Sequence, residues 1–156
     1  MNINASDTNF KQSEAKSEMQ NGRRLDPLKD EFTILIADRN PHVRELLKRE
    51  MIAEGYRVAT AKDSREVLQR FFSQEPLDLL IFDLDLPDAG DAEIIGRLND
   101  RIPRLPIVLH SFHTDHSDYP SDNMNTIFVE KRGNSVERLK KVVSKLLNLS
   151  RKKPGL

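Results

Sequence analysis

Asp83 and Asp85 stand two residues apart at the end of the run Leu79-Leu80-Ile81-Phe82, the most continuously apolar stretch of the segment LDLLIFDLDLP. An apolar run without polar alternation is the pattern of a strand buried on both faces of a parallel sheet. A carboxylate at the C-terminal end of such a strand faces the one crevice that the covering helices leave open. It is either a site residue or a costly burial of charge. Asp38 ends a second apolar run, Thr33-Ile34-Leu35-Ile36-Ala37, in the same manner. His110, His113 and His116, with Asp115 and Asp118 beside them, are residue types that suit zinc. His110 belongs to a strand and the other two to a loop, so their spacing does not imply a common centre. Cysteine is absent, which excludes a thiolate nucleophile, a disulfide framework and a cysteine zinc site together. No glycine-rich phosphate loop follows the first strand, which speaks against a flavin or nucleotide carrier.

The elements that must position these residues are legible from spacing. Asn40 and Pro41 supply an N-cap and a first-turn proline, and Val43, Leu46, Leu47 and Met51 recur at helical spacing until Gly55 closes the helix. A strand over 56–61 follows, then a helix capped by Asp63 and carrying Val67, Leu68, Phe71 and Phe72. The central strand spans 77–82, and the next helix runs through Ile94, Ile95 and Leu98. Strands over 106–110 and 126–129 come next, and Asn134 with Glu137 predicts a capping box for a last helix bearing Leu139, Val142, Val143, Leu146 and Leu147. Five strands alternating with helices predict an α/β doubly wound parallel sheet with helices on both faces. Between Ser111 and Asn125 the sequence is polar and aspartate-rich, with Pro120 in the middle, so the fourth helix is expected to be short or irregular.

The bulk properties narrow the classes further. The chain has 156 residues, with 25 basic and 25 acidic side chains, so no global field attracts nucleic acid or an anionic membrane. Apolar stretches are strand-sized, well short of the ~20 residues of a membrane span, and the N-terminus lacks the apolar core of a signal peptide. A cytoplasmic protein is expected. Residues 1–31 read as a disordered leader, 32–149 as the folded domain and 150–156 as a basic tail. Lys140, Lys141 and Lys145 are expected on a solvated face of the last helix.

Asp38, Asp83, Ser111 and Lys131, each closing one of four strands, together resemble the receiver domain of bacterial response regulators. The resemblance covers roughly residues 32–149 and implies the flavodoxin-like strand order 2-1-3-4-5. It implies further that Asp83 is the phosphoacceptor, attacking a phosphohistidine on a sensor histidine kinase or phosphotransfer protein. Lys131 and Ser111 would contact phosphoryl oxygens, and Phe128 would be the aromatic switch. Magnesium would be held by Asp38, Asp83 and the backbone carbonyl of Asp85. Phosphoryl transfer asks of such a site mainly positioning and charge neutralisation.

One departure bears on that chemistry. Arg39 occupies the position that in the family carries the second residue of an acidic pair, which weakens the magnesium site unless its guanidinium points away. Pairing with Asp83 in two-pronged fashion would let Arg39 stand in for part of the ion's charge. The expectation is therefore a single-domain response regulator that signals through a separate effector protein, without direct DNA or membrane binding. It is not a classical enzyme, and at most it catalyses its own phosphorylation and dephosphorylation. The alternative is a pseudo-receiver interaction module in which Arg39 replaces the metal and no phosphorylation occurs.

Overall fold

Among the described residues, strands and helices alternate from Thr33 to Ser111 as the spacing predicts. The structure, a computed structural model, describes residues 19–20, 23–24, 31–87, 92–112 and 126–152. The main sheet contains β1 (Thr33–Ala37), β2 (Arg57–Ala61), β3 (Leu79–Phe82), β4 (Ile107–Ser111) and β5 (Thr126–Glu130). All neighbours are parallel, in the order β2-β1-β3-β4-β5. The helices are α1 (Pro41–Ala53), α2 (Ser64–Phe71), α3 (Ala92–Asn99) and α4 (Ser135–Lys152). Apart from these, Met19–Gln20 and Arg23–Arg24 form a short antiparallel pair.

Because side chains alternate across a strand, each strand feeds two cores. Leu35, Ala37, Leu80, Phe82, Ile107 and Leu109 pack with Val67 and Phe71 of α2 and Ile94 and Leu98 of α3. Ile34, Ile36, Leu79, Ile81 and Val108 pack on the other face with Leu47 and Met51 of α1 and Leu139, Val143, Leu146 and Leu147 of α4. Burial on both faces explains why β3 and β4 carry no outward polar residue except at their ends. Every residue of these two strands is buried.

Local signals set the helix starts. Asn40 Oδ1 accepts the amides of His42 at 2.9 Å and Val43 at 3.4 Å, satisfying two N–H groups that lack helical partners. Gly55, at φ 102°, takes the left-handed turn that ends α1 and sends the chain into β2. Asp63 Oδ1 caps α2 through the Glu66 amide at 2.8 Å.

Several expectations change. The central strand begins at Leu79, since Leu77 and Asp78 serve as its lead-in, where Asp78 Oδ2 accepts the Thr33 amide at 2.7 Å. The fourth strand runs one residue further than expected, so Ser111 lies inside it. The capping box at Asn134 does not form, because Glu137 turns to Lys140 at 3.2 Å. The turn is tied instead by Arg138, whose Nη2 donates to the carbonyls of Glu130 at 2.8 Å and Arg132 at 2.9 Å. Finally, α4 continues to Lys152 and absorbs part of the expected tail. Lys140 is not on a solvated face: it is 14% exposed and pairs with Glu50 at 2.8 Å and Glu54 at 3.7 Å, joining α4 to α1. The expected irregular helix between Ser111 and Asn125 and most of the leader lie outside the described residues, as do residues 153–156. Among the described residues no helix is long and apolar enough to cross a membrane.

Candidate functional site

β1 and β3 are neighbours in the sheet, and β5 follows on the same side beyond β4, all parallel, so the residues that leave their C-terminal ends lie along one edge. Asp38 follows β1, Asp83 follows β3 and Lys131 follows β5. The Asp83 amide donates to the Ala37 carbonyl at 2.9 Å, locking the two strand ends together. The Lys131 amide donates to the Ser111 carbonyl at 2.9 Å, which does the same for β4 and β5. Lys131 Nζ then reaches Asp38 Oδ2 at 2.8 Å and Asp83 Oδ2 at 3.3 Å. Asp38 is 1% exposed and Asp83 is fully buried.

Main-chain amides supply the remaining donors. Asp83 Oδ1 accepts from the Asp85 amide at 2.9 Å, and Asp83 Oδ2 accepts from the Arg39 amide at 3.3 Å. Asp38 Oδ1 accepts from the Asn40 amide at 2.8 Å. Arg44 Nη1 donates to the Asp38 carbonyl at 2.8 Å. Two carboxylates thus share one ammonium, leaving one surplus negative charge in a buried place.

The electrostatic cost falls on Asp38. Burial raises its carboxyl above the usual range, and the Asp83 charge adds to the rise. The hydrogen bonds from Lys131 and the Asn40 amide act against it. The native state therefore holds the Asp38 proton more tightly than the unfolded chain does. The stability linked to that proton is present below the ordinary carboxyl pKa of 3.8 and is lost as pH rises through the folded value. Asp38→Asn removes the surplus charge and leaves Lys131 paired one to one with Asp83. At pH 7 the variant is expected to be more stable by about 1–2 kcal/mol in urea unfolding. A loss of stability would show that the ammonium needs both carboxylates.

The structure brings together Asp38, Asp83 and Lys131. Ser111, fully buried, stands at the same sheet edge at the end of β4. Asp85 is half-buried with its amide on the Asp83 carboxylate. Phe128 is a partly buried β5 residue packed against the core on the α2 and α3 side. Of the two placements open to Arg39, paired with Asp83 or pointing away, the structure shows the second. Its amide touches Asp83, but its side chain is exposed and forms no ion pair with Asp83; Lys131 fills that role. Arg39 lies in the bend beyond β1, outside the strand pleat.

Oxygen donors of the kind magnesium takes are present: two buried carboxylates and the main chain at Asp85. Magnesium accepts one or two carboxylates and completes its octahedron with water and phosphate, so this set fits it in kind. The set is thin. Among the described residues no three His, Cys, Asp or Glu side chains are grouped to share a metal, and Arg39 adds no donor. The zinc possibility gains nothing, since His110 Nε2 lies 3.3 Å from Ser135 Oγ, and His113 and His116 lie outside the described residues.

Two neighbours of the site are not legible from spacing. His110 is 3% exposed with Nδ1 unpartnered, and its pKa feels both Lys131 and Asp83. Phe112 lies beside Lys131, whose Nζ stands 5.6 Å from the ring centroid. The only sequence signal for Phe112 is its position after Ser111.

A five-stranded parallel sheet in the order 2-1-3-4-5, with buried acids and a lysine at its C-terminal edge, defines a receiver-type signalling domain. The family model for the response regulator receiver domain matches residues 34–143, and the chain belongs to that family. Among solved structures it is similar to the response regulator TrrA of Thermotoga maritima in complex with Mg2+-BeF. Identity is 34% and the TM-score 0.65, with 74% of this chain and 98% of that one covered. It is likewise similar to TrrA in complex with the histidine kinase ThkA, at 32% identity and a TM-score of 0.64 over 74% and 98% of the two chains. Among curated proteins it is 36% identical over 86 residues to the response regulator GtcR of Aneurinibacillus migulanus, covering 55% of this chain and 35% of GtcR. With the sensor protein EvgS of Escherichia coli K12 it shares 38% identity over 80 residues, 51% of this chain and 7% of EvgS. The chain thus spans about a third of the length of GtcR and far less of EvgS.

Proposed function

We propose that this chain accepts a phosphoryl group on Asp83 from a sensor histidine kinase or phosphotransfer protein and signals by contact with a separate effector protein. One observation carries the reading: Lys131 Nζ at 3.3 Å from the wholly buried Asp83 carboxylate, with Asp38 as its second partner. A buried carboxylate beside a fixed cation is set up to receive an anionic electrophile, because the ammonium attracts the phosphoryl oxygens while the carboxylate attacks phosphorus. Asp83 contributes a carboxylate oxygen, the bond from phosphorus to the donor nitrogen or oxygen breaks, and the leaving group takes the electron pair. Lys131 and the Ser111 hydroxyl hold two phosphoryl oxygens. Phe128 turns inward as Ser111 is drawn to the phosphoryl group, which carries the signal to the β5 surface. Magnesium, bound weakly by Asp38, Asp83 and the Asp85 carbonyl, would supply positive charge to a third oxygen. The TrrA complexes with Mg2+-BeF and with ThkA support this ligand and this partner class by similarity. Self-catalysed transfer and hydrolysis are the whole of its chemistry, and the cytoplasm is its compartment. Neither DNA nor a membrane is a direct partner.

Incubation with acetyl phosphate and magnesium, followed by intact-mass measurement, is expected to add one phosphoryl group, base-labile and absent in Asp83→Asn. No adduct over hours sinks the proposal in favour of an unphosphorylated interaction module.

A further inference from the structure

Arg39 holds a cation beside the acceptor carboxylate that no described residue engages. Its amide lies 3.3 Å from Asp83 Oδ2, so its Cα is anchored beside the carboxylate, while its side chain is exposed. Among the described residues no hydrogen bond or ion pair engages its guanidinium. The other cations at this edge are occupied: Lys131 by two carboxylates and Arg44 by the Asp38 carbonyl.

The charge count shows what such a cation is for. Among the described residues the pocket at rest sets two carboxylates against one ammonium. A phosphoryl group on Asp83 replaces that single charge with roughly two negative charges and adds three strong acceptor oxygens. Lys131 is already shared and cannot balance them alone. Arg39 lies within a side chain's length of the spot, and its planar fork matches two oxygens of one phosphoryl group better than a point charge does.

We propose that Arg39 swings onto the phosphoryl group of Asp83 and supplies the charge that a divalent ion would otherwise bring, so that phosphorylation of this chain depends little on magnesium. The inference rests on Asp83 being the acceptor. In the step tested, an Asp83 carboxylate oxygen attacks the phosphorus of acetyl phosphate and the new O–P bond forms. The P–O bond to the acetyl group breaks, and acetate leaves with the electron pair. No proton is transferred in this step.

The test compares the full chain with Arg39→Ala and Arg39→Asp, each incubated with acetyl phosphate in excess EDTA or in magnesium, and follows the adduct by intact mass. In EDTA the unaltered chain is expected to be phosphorylated within about 5-fold of its rate in magnesium. Arg39→Ala in EDTA should be slower by roughly 10- to 100-fold, the worth of a charge-assisted hydrogen bond or two. Arg39→Asp should react only with magnesium present. A second readout, independent of turnover, is the thermal shift produced by beryllofluoride in metal-stripped buffer, expected for the unaltered chain and absent in Arg39→Ala. Circular dichroism checks that the variants fold, which an exposed side chain should not prevent. An adduct that forms only with magnesium, or equal rates for Arg39→Ala and the unaltered chain in EDTA, overturns the role of Arg39 and leaves Asp83 as acceptor. No adduct in either buffer overturns both.

Discussion

Lys131→Met is expected to lower stability by about 3–5 kcal/mol at pH 7, because it strands two carboxylates in a place with almost no water. Asp38 and Asp83 are 1% and 0% exposed, and the Lys131 ammonium reaches both, at 2.8 and 3.3 Å. Methionine fills much of the volume of the lysine stem, so packing is kept and the loss reports charge. For a folded region of this size the midpoint should fall by roughly 10–20 °C. Acid should narrow the gap between variant and parent, since protonating either carboxylate removes the repulsion. Adding Asp38→Asn should recover part of the loss, which a double-mutant cycle measures as coupling. A change below about 1 kcal/mol would mean that water, not Lys131, compensates the acids. The variant should also accept the phosphoryl group far more slowly.

His110 is expected to make the fold acid-sensitive. It is 3% exposed at the end of β4, and burial is the largest of the effects that lower its pKa from 6.5 to about 4. Lys131 and Arg138 lower it further, while Asp83 acts in the opposite sense. The unfolded chain takes up the His110 proton near pH 6.5, whereas the native state does so only near 4. Protons therefore favour the unfolded state across that window, and stability falls as pH drops from 6.5 toward 4. At about 1.4 kcal/mol per pH unit the full loss is about 3 kcal/mol. Asp38, whose pKa moves upward, works against this at the acid end. His110→Val should remove the sensitivity, visible as a flatter plot of urea-unfolding free energy between pH 7 and 4.5. At pH 7 the variant loses only the 3.3 Å contact to Ser135 and removes an unpartnered Nδ1. Parallel plots for variant and parent would place the acid sensitivity elsewhere.

The sheet and the acids at its edge were legible because burial on both faces leaves a strong mark: apolar runs that stop on charge. Asp38 and Asp83 end such runs, and the structure sets them side by side. Lys131 was legible through the resemblance alone, since nothing in its flanks distinguishes it from other lysines. What spacing does not carry is direction. Arg39 stands next to Asp38 in the sequence, which leaves open whether it pairs with Asp83; its side chain is exposed, and Lys131 makes that pair. Lys140 was placed with the solvated lysines of the last helix because its partners Glu50 and Glu54 are some ninety residues away in sequence and adjacent only through packing. The spacing puts His110 in a strand, where the structure has it, yet the reach of Lys131 and Asp83 to it follows from the convergence of strands that no local pattern records. Asn134 and Glu137 had the spacing of a capping box, but Lys140 competes for the glutamate.

The distribution of the two cores bears on how the chain acquires its shape during synthesis. Ile34, Ile36, Leu79 and Ile81 are covered in part by Leu139, Val143, Leu146 and Leu147, which a ribosome adds more than fifty residues after the central strand. Until that helix emerges, the nascent sheet shows water a greasy flank on the α1 side. The opposite flank can already be sealed by α2 and α3. One half of the domain therefore matures early and the other late, and the late half is where a nascent-chain chaperone would find its grip.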